Sequence, residues 1–259
     1  MLDIPAEVLN ALEKVKGDMN GIGSSVADPL LRAAIRAYIE RPGKMIRPLL
    51  LLLFTYVLDP RRLDDRKIIN AASILETLHI VSLLQDDVID GHRDRRGQKT
   101  PRELYGDGAS IVASDWLIAE AIERAVAIGA DVVLYLSSIA KRLAEGQAMD
   151  MRGLKRESAE LKTAPLIEAA FVMPTIILRR RELLRHAASL GRALGVLYQY
   201  SDDMADEGNK NDMRPLVAEI RGAMEMLRKS LGDRVEPLER FINFVVNKAL
   251  EGTLTVASL

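Results

Sequence analysis

The fold is decided by one of the two longest helical patterns in the chain, residues 64–90, which read DDRKIINAASILETLHIVSLLQDDVID. Apolar side chains such as Ile68 and Leu75 recur in it at helical spacing, as they do along the buried face of an α-helix. The pattern ends on the acidic stretch 86–90. The sequence therefore predicts a long helix with carboxylates near its end.

The rest of the chain also has helical patterning, and the strand-like alternation of β-branched residues is hard to find in it. Further helices are predicted over residues 3–20, 28–40, 44–58, 111–127, 131–151, 163–177, 180–206, 213–230 and 236–250. No internal repeat, low-complexity tract or linker interrupts them. We expect an all-α, single-domain helical bundle over residues 1–259.

Composition excludes several classes of protein. The 36 Lys and Arg residues balance 37 Asp and Glu residues, whereas a nucleic-acid binder usually carries a basic excess. The absence of cysteine excludes disulfides and thiolate chemistry. The longest uncharged apolar run, residues 48–58, is too short to span a bilayer, and the N-terminus lacks a signal-peptide pattern. We expect a cytoplasmic protein with no membrane span.

Two acidic motifs share one spacing, with aspartates at positions i, i+1 and i+4. They are Asp86-Asp87-x-x-Asp90 and Asp202-Asp203-x-x-Asp206. Helix geometry places the first and last aspartate of each motif on one face, where like charges repel. Mg²⁺ would relieve that repulsion, since it commonly takes one or two carboxylates and completes its shell with water and phosphate oxygens. The alternative is a solvated acidic face.

Basic residues flank the first motif. A cationic loop at 92–97 follows it, and Lys44 and Arg47 stand three apart at a predicted helix start. Cations at a helix N-terminus suit a bound anion such as diphosphate. His79 lies two turns before Asp86 on nearly the same face, where it is either a core residue or a further ligand.

Taken together, these residues resemble the trans-isoprenyl diphosphate synthases, a family of prenyl-chain-elongating enzymes. The resemblance covers about residues 41–206 and depends on seven motifs in the family's order. They are Gly43-Lys44-x-x-Arg47-Pro48, Glu76-x-x-His79-x-x-Ser82-Leu83, Asp86-Asp87-x-x-Asp90, Arg95-Arg96-Gly97, Gly146-Gln147-x-x-Asp150, Lys162-Thr163-Ala164 and Gln199-x-x-Asp202-Asp203-x-x-Asp206.

The resemblance implies an isoprenoid-synthase-type bundle around a central cavity and a role for each motif. Lys44, Arg47, His79 and Arg96 would hold the diphosphate of isopentenyl diphosphate. Asp86, Asp90 and Asp202 would bind Mg²⁺, with Asp206 as a further ligand and Asp87 and Asp203 in support. Arg95, Lys162, Thr163 and Gln199 would contact the allylic diphosphate. The residues expected to be catalytic are Asp86, Asp87, Asp90, Lys162 and Asp202.

The implied reaction condenses isopentenyl diphosphate with an allylic diphosphate to give a longer trans-prenyl diphosphate. Large rings five and four residues before Asp86 shorten the product in this family, and this chain has Val81 and Ser82 there. We therefore expect geranylgeranyl (C20) diphosphate, with farnesyl (C15) diphosphate as the alternative. Trp116 could supply a pocket floor instead or pack in the core.

The sequence departs from the family pattern at two places. Pro42 replaces the first of two glycines, and the family's Lys-x-Thr-x-Pro has no match in the short segment 207–215. Lys210 or Arg214 could replace that allylic contact.

Two further alternatives remain beside the enzyme. One is a non-catalytic partner subunit of a heteromeric prenyl synthase. The other is a terpene synthase, which would ionise the same substrate without needing the basic cluster. We expect a homodimer, to which the apolar length of residues 108–127 could contribute.

Overall fold

A computed structural model of the chain describes residues 4–95, 97–207, 212–251 and 254, with the side chains of residues 155, 156, 203 and 205–207 outside the description. The described helices are α1 (Ala6–Asn20), α2 (Pro29–Ile39), α3 (Ile46–Leu58), α4 (Arg66–Ile89), α5 (Pro101–Tyr105), α6 (Asp107–Ile128), α7 (Ala130–Asp150), α8 (Lys155–Lys162), α9 (Ala164–Ile177), α10 (Leu184–Glu207), α11 (Arg214–Leu231) and α12 (Glu236–Leu250). Short 3₁₀ turns cover Pro60–Arg62, Arg181–Leu183 and Gly232–Val235.

The all-α prediction is confirmed, and local capping chemistry explains several helix starts. Asp28 accepts a hydrogen bond from the Leu31 amide at 2.8 Å, which begins α2 at Pro29, one residue after the predicted start at residue 28. Asp65 does the same for Lys67 at the start of α4. These side chains satisfy backbone donors that have no partner within the helix.

The segment between the predicted helices 64–90 and 111–127 contains structure that the sequence pattern did not show. A short hairpin pairs two strands of two residues each, β1 (Asp94–Arg95) and β2 (Gln98–Lys99), and α5 follows it. Helix α6 then starts at Asp107, four residues before the predicted start at residue 111. Two-residue strands are too short to produce an alternating pattern, and α8 was missed because its sequence is polar on nearly all sides.

The core is built around α3 and α9, whose side chains are buried almost all round. Phe54 and Phe171 meet between them with ring centroids 5.3 Å apart. Of the described helices, only α4 is long and apolar enough to cross a membrane, and 72% of its apolar window is buried inside the protein. Such burial is typical of a core helix.

A buried charged cluster joins α1 to the bundle. The Asp18 carboxylate accepts a hydrogen bond from Ser73 of α4 at 2.8 Å and pairs with Arg66 at 3.0 Å and with Arg124 of α6. The Asp18 side chain is only 8% exposed, so these partners offset the loss of its hydration. The cluster fixes α1 against α6 and against α4, the helix that ends in the first acidic motif.

Candidate active site

Asp86 and Asp90 lie one turn apart at the carboxyl end of α4. The Asp90 amide donates to the Asp86 carbonyl at 2.8 Å, and Asp90 is the last residue with helical geometry. The Asp86 side chain is 19% exposed, whereas Asp90 lies at the surface. The two carboxylates therefore occupy one face of the helix end, with Asp86 the inner of the pair.

Asp87 faces another way. It is fully buried, and its carboxylate accepts hydrogen bonds from the Arg95 guanidinium at 3.0 Å and from the hydroxyl of Tyr38. The structure thus does not bring Asp87 to the face shared by Asp86 and Asp90. It instead joins α4 to α2 and to strand β1.

Electrostatics couple Tyr38 and Arg95 to Asp87. Burial and the hydrogen bond to Asp87 raise the pKa of Tyr38, so its hydroxyl remains a donor. Burial alone would lower the pKa of Arg95, but the Asp87 carboxylate outweighs it and the pKa ends above its ordinary value. Arg95 is therefore held as a fixed cation next to the acidic motif.

The Asp86 carboxylate is poorly compensated. Burial raises its pKa, the neighbouring charge of Asp90 adds to that increase, and Lys162 opposes it from 3.6 Å. Lys162 makes its closer ion pair with Asp150, at 2.7 Å. The negative charge of Asp90, which disfavours the bare Asp86 carboxylate, would stabilise a further cation bound there.

The Lys162-Thr163 junction connects the two acidic motifs. Lys162 ends α8 beside Asp86, and the hydroxyl of Thr163 donates to the side-chain oxygen of Gln199 on α10. Asp202, half-buried, lies three residues after Gln199 near the end of the same helix. The ends of α4 and α10 that carry the acidic motifs are thus linked through adjacent residues.

Two of the basic residues expected to bind isopentenyl diphosphate lie in or just after the loop between α2 and α3. Lys44 is exposed between α2 and α3, and Arg47 lies half-buried in the first turn of α3. Pro42 and Met45 from that loop line the same small cleft as Glu76 and Ile80 from α4. The loop therefore lies beside the turn of α4 that carries His79, which is half-buried.

Several predicted residues fall outside the described parts of the chain. They are Arg96, Lys210 and the side chains of Asp203 and Asp206. Arg214 is described, and its exposed guanidinium pairs with Asp212 at 2.9 Å.

The described carboxylates fit Mg²⁺ as an ion that also takes ligands from a substrate. Among the side chains that the structure describes, no three histidines or carboxylates group closely enough to hold a metal by themselves. Asp86 and Asp90 supply hard oxygen donors, and Mg²⁺ needs few protein ligands where phosphate oxygens and water supply the others. These carboxylates would hold a hard cation whose remaining ligands came from a diphosphate and water.

Small side chains precede the first acidic motif. Val81 is buried, and the Ser82 hydroxyl donates to the His79 carbonyl at 2.7 Å. Trp116 of α6, a helix that packs against α4, is half-buried against the core.

The pattern of residues gave little sign of two contacts at the site. Tyr38 stands in the last turn of α2 with no motif around it. Asp150 belongs to the Gly146-Gln147-x-x-Asp150 motif, but its pairing with Lys162 depends on α8, a helix whose polar sequence has no apolar stripe.

Comparisons with known proteins give the following likenesses. A family model described as polyprenyl synthetase matches residues 28–213. A geranylgeranyl pyrophosphate synthase from Geoglobus acetivorans is 34% identical over 70% of this chain, and the match spans 60% of that protein's length. A short chain isoprenyl diphosphate synthase from Methanocaldococcus jannaschii is 30% identical over 82% of this chain and 68% of its own length.

Solved structures show the same fold. A geranyltransferase from Helicobacter pylori has a TM-score of 0.78 at 20% identity, over 92% of this chain and 96% of its own. An isoprenoid synthase family member from Thermotoga neapolitana has a TM-score of 0.75 at 23% identity, over 92% of this chain and 98% of its own. These likenesses confirm the predicted isoprenoid-synthase-type fold.

Proposed function

Since this chain belongs to the polyprenyl synthetase family, we propose that it condenses isopentenyl diphosphate with an allylic diphosphate to give a longer trans-prenyl diphosphate. The single observation that carries the proposal is the junction at Lys162 and Thr163. The Lys162 ammonium lies 3.6 Å from the Asp86 carboxylate. The Thr163 hydroxyl donates a hydrogen bond to Gln199, three residues before the second acidic motif. Carboxylates that would hold a metal ion and an ammonium that would hold a diphosphate thus lie side by side.

Mg²⁺ is the proposed cofactor, with Asp86, Asp90 and Asp202 as its protein ligands and Asp206 as a further ligand. When bound, it would supply positive charge to the diphosphate oxygens as the leaving group departs. Lys162 and Arg95 would orient the allylic diphosphate and stabilise the charge that develops on it. Asp87, held by Arg95, would act here by fixing that guanidinium.

In the proposed reaction, the bond between the allylic carbon and the diphosphate oxygen breaks, and its electron pair leaves with pyrophosphate. The double bond of isopentenyl diphosphate attacks the resulting allylic cation, with its diphosphate held by Lys44, Arg47, His79 and Arg96. A proton then leaves the new chain for the released pyrophosphate. The apolar walls of α3 and α4 exclude water that would quench the cation.

We propose geranylgeranyl diphosphate (C20) as the product, with farnesyl diphosphate (C15) as the alternative. Val81 and Ser82 present no aromatic ring below the first acidic motif, which supports a longer product. Relatives of this chain carry names from geranylgeranyl to nonaprenyl diphosphate synthase, so their names do not discriminate.

The test is incubation of the purified chain with isopentenyl diphosphate and separate C5, C10 and C15 allylic primers, with products sized by mass spectrometry. We expect extension to C20 in Mg²⁺ and no extension in EDTA. Failure to extend any primer would contradict the enzyme proposal and favour the partner-subunit alternative. Extension that stops at C15 would replace the proposed product with the shorter alternative.

We also propose a homodimer, formed through the outer face of α6. Ile111, Ile122 and Val126 lie on that face at whole-turn spacing and are about half or more exposed, with Val126 at 64%. Several large apolar side chains exposed on one helix face are typical of protein interfaces. The expected cytoplasmic location stays a prediction.

The dimer is tested by sedimentation velocity of the Ile122→Glu, Val126→Glu double variant. Burying two carboxylates without partners should weaken self-association at least about tenfold. Met226→Glu, on an exposed apolar position of α11, is the control and should leave association unchanged. A wild-type chain that is monomeric at all concentrations, or a double variant that dimerises normally, would contradict the assignment.

A further inference from the structure

We propose that Gly146 of α7 and Gly195 of α10 are positioning residues that grip the Lys162-Thr163-Ala164 segment from its two sides and thereby set the site for the allylic diphosphate. The inference rests on the proposed function, because it assigns these glycines to the binding of one substrate. Neither glycine touches that substrate. Each acts through the segment that it contacts.

On the α7 side, the backbone of α8 comes against Gly146 directly. A Cβ on Gly146 would lie 2.5 Å from the Lys162 nitrogen and closer still to the carbonyl carbon of Leu161. Real Cβ atoms essentially never approach within 3.0 Å of another heavy atom, and backbone atoms cannot rotate away as a side chain can. Only glycine therefore allows α8 to end where it does.

On the α10 side, Gly195 makes the matching approach to the start of α9. A Cβ on Gly195 would lie 2.6 Å from the Cα of Ala164. The backbone of residues 161–164 is thus in close contact with a glycine on each side. A displacement on either side would move Lys162 and Thr163 together.

Each glycine lies one helical turn before the residue that binds the segment. Asp150 follows Gly146 by four positions and pairs with Lys162 at 2.7 Å. Gln199 follows Gly195 by four positions and accepts the Thr163 hydroxyl. Since positions i and i+4 share a helix face, each helix presents a close backbone contact and a polar side chain to the same segment.

This arrangement explains how Lys162 is kept beside Asp86 without closing on it. The Lys162 ammonium lies between the carboxylates of Asp150 and Asp86. Asp150 holds that ammonium at 2.7 Å while Asp86 stands at 3.6 Å. Asp86 thus keeps lone pairs for a metal, and Lys162 keeps donors for the diphosphate.

The first test measures the Michaelis constants of Gly146→Ala and Gly195→Ala for both substrates. Small displacements of a positioning group cost large factors in rate. We expect the KM for the allylic primer to rise at least about tenfold, with the KM for isopentenyl diphosphate within about twofold of wild type. Gly222→Ala, exposed on α11 with open space at its Cβ, is the matched control and should leave both constants unchanged.

The deciding variant is Asp150→Asn, which keeps the shape of the side chain and removes only its charge. We expect the affinity for the allylic primer, measured by calorimetric titration without isopentenyl diphosphate, to fall about tenfold while the melting temperature stays near that of wild type. Asp150→Glu should restore part of the affinity.

The outcomes separate this inference from the proposed function. If wild type extends primers but Asp150→Asn binds them normally, or if both KM values rise equally in the glycine variants, the positioning role is wrong. If wild type neither binds nor extends any allylic diphosphate, the proposed function fails and the inference fails with it. Should one alanine variant not fold, the other decides for its own side of the segment, and Asp150→Asn decides whether the placement of Lys162 sets the allylic site.

Discussion

Replacing Asp86 with alanine is expected to lower kcat/KM for prenyl elongation at least about thousandfold, the effect of removing a principal ligand of a metal that stabilises a leaving group. Asp86 is the inner carboxylate of the pair at the end of α4, and Lys162 and Asp150 are arranged around it. Asp90 alone would leave the proposed metal with one exposed ligand from this helix.

The same substitution should not weaken the fold. Burial raises the pKa of Asp86 above its value in the unfolded chain, so the ionised carboxylate costs free energy in the folded state at neutral pH. Removing it should leave the free energy of unfolding in EDTA unchanged or higher. Urea denaturation measures this, with the exposed Asp233→Ala as control. Retained elongation would contradict the metal assignment, and a large loss of stability would point to a structural role.

Replacing Asp87 with alanine, unlike replacing Asp86, is expected to weaken the fold. The substitution leaves the Arg95 guanidinium without its buried partner at 3.0 Å and the Tyr38 hydroxyl without an acceptor. Breaking a buried ion pair from one side is strongly destabilising, and we expect a loss of about 3 kcal/mol in the free energy of unfolding. Arg95 would also lose its fixed position, so elongation should fall as well.

Urea denaturation at pH 7 measures the loss, with Asp94→Ala as the matched control. Asp94 is exposed on strand β1, next to Arg95, so its removal should cost less than about 0.5 kcal/mol. A loss below about 1 kcal/mol for Asp87→Ala would show that the contacts of Asp87 with Tyr38 and Arg95 do not hold the hairpin. The loss in the free energy of unfolding for Tyr38→Phe should lie between those of Asp94→Ala and Asp87→Ala, because this substitution removes one neutral hydrogen-bond donor.

Much of the fold followed from the sequence because helical periodicity is a local property. The long helix 64–90 was predicted within two residues of α4 at its start and one at its end. The pairing of Asp86 with Asp90 followed from helix geometry alone. Residues one position apart are about 100° apart around a helix, and that rotation takes Asp87 into the core.

The rest depended on contacts between segments distant in sequence. The hydroxyl of Tyr38 reaches Asp87 across 49 positions, and no periodicity reports such a pairing. The hairpin is too short to show a pattern, and polar α8 has no apolar stripe to reveal it. The ion pair of Lys162 with Asp150 needs α8 to fold back on α7, so neither residue's environment could be derived from its motif.

The central claim is that the chain joins two substrates rather than ionising one. It is tested most directly by following pyrophosphate release from an allylic primer in Mg²⁺, with and without isopentenyl diphosphate. We predict release only when both substrates are present, with one pyrophosphate for each five-carbon unit gained by the product. Equal release from the primer alone, with no lengthened product, would contradict the account and indicate an enzyme that ionises its substrate without adding a unit.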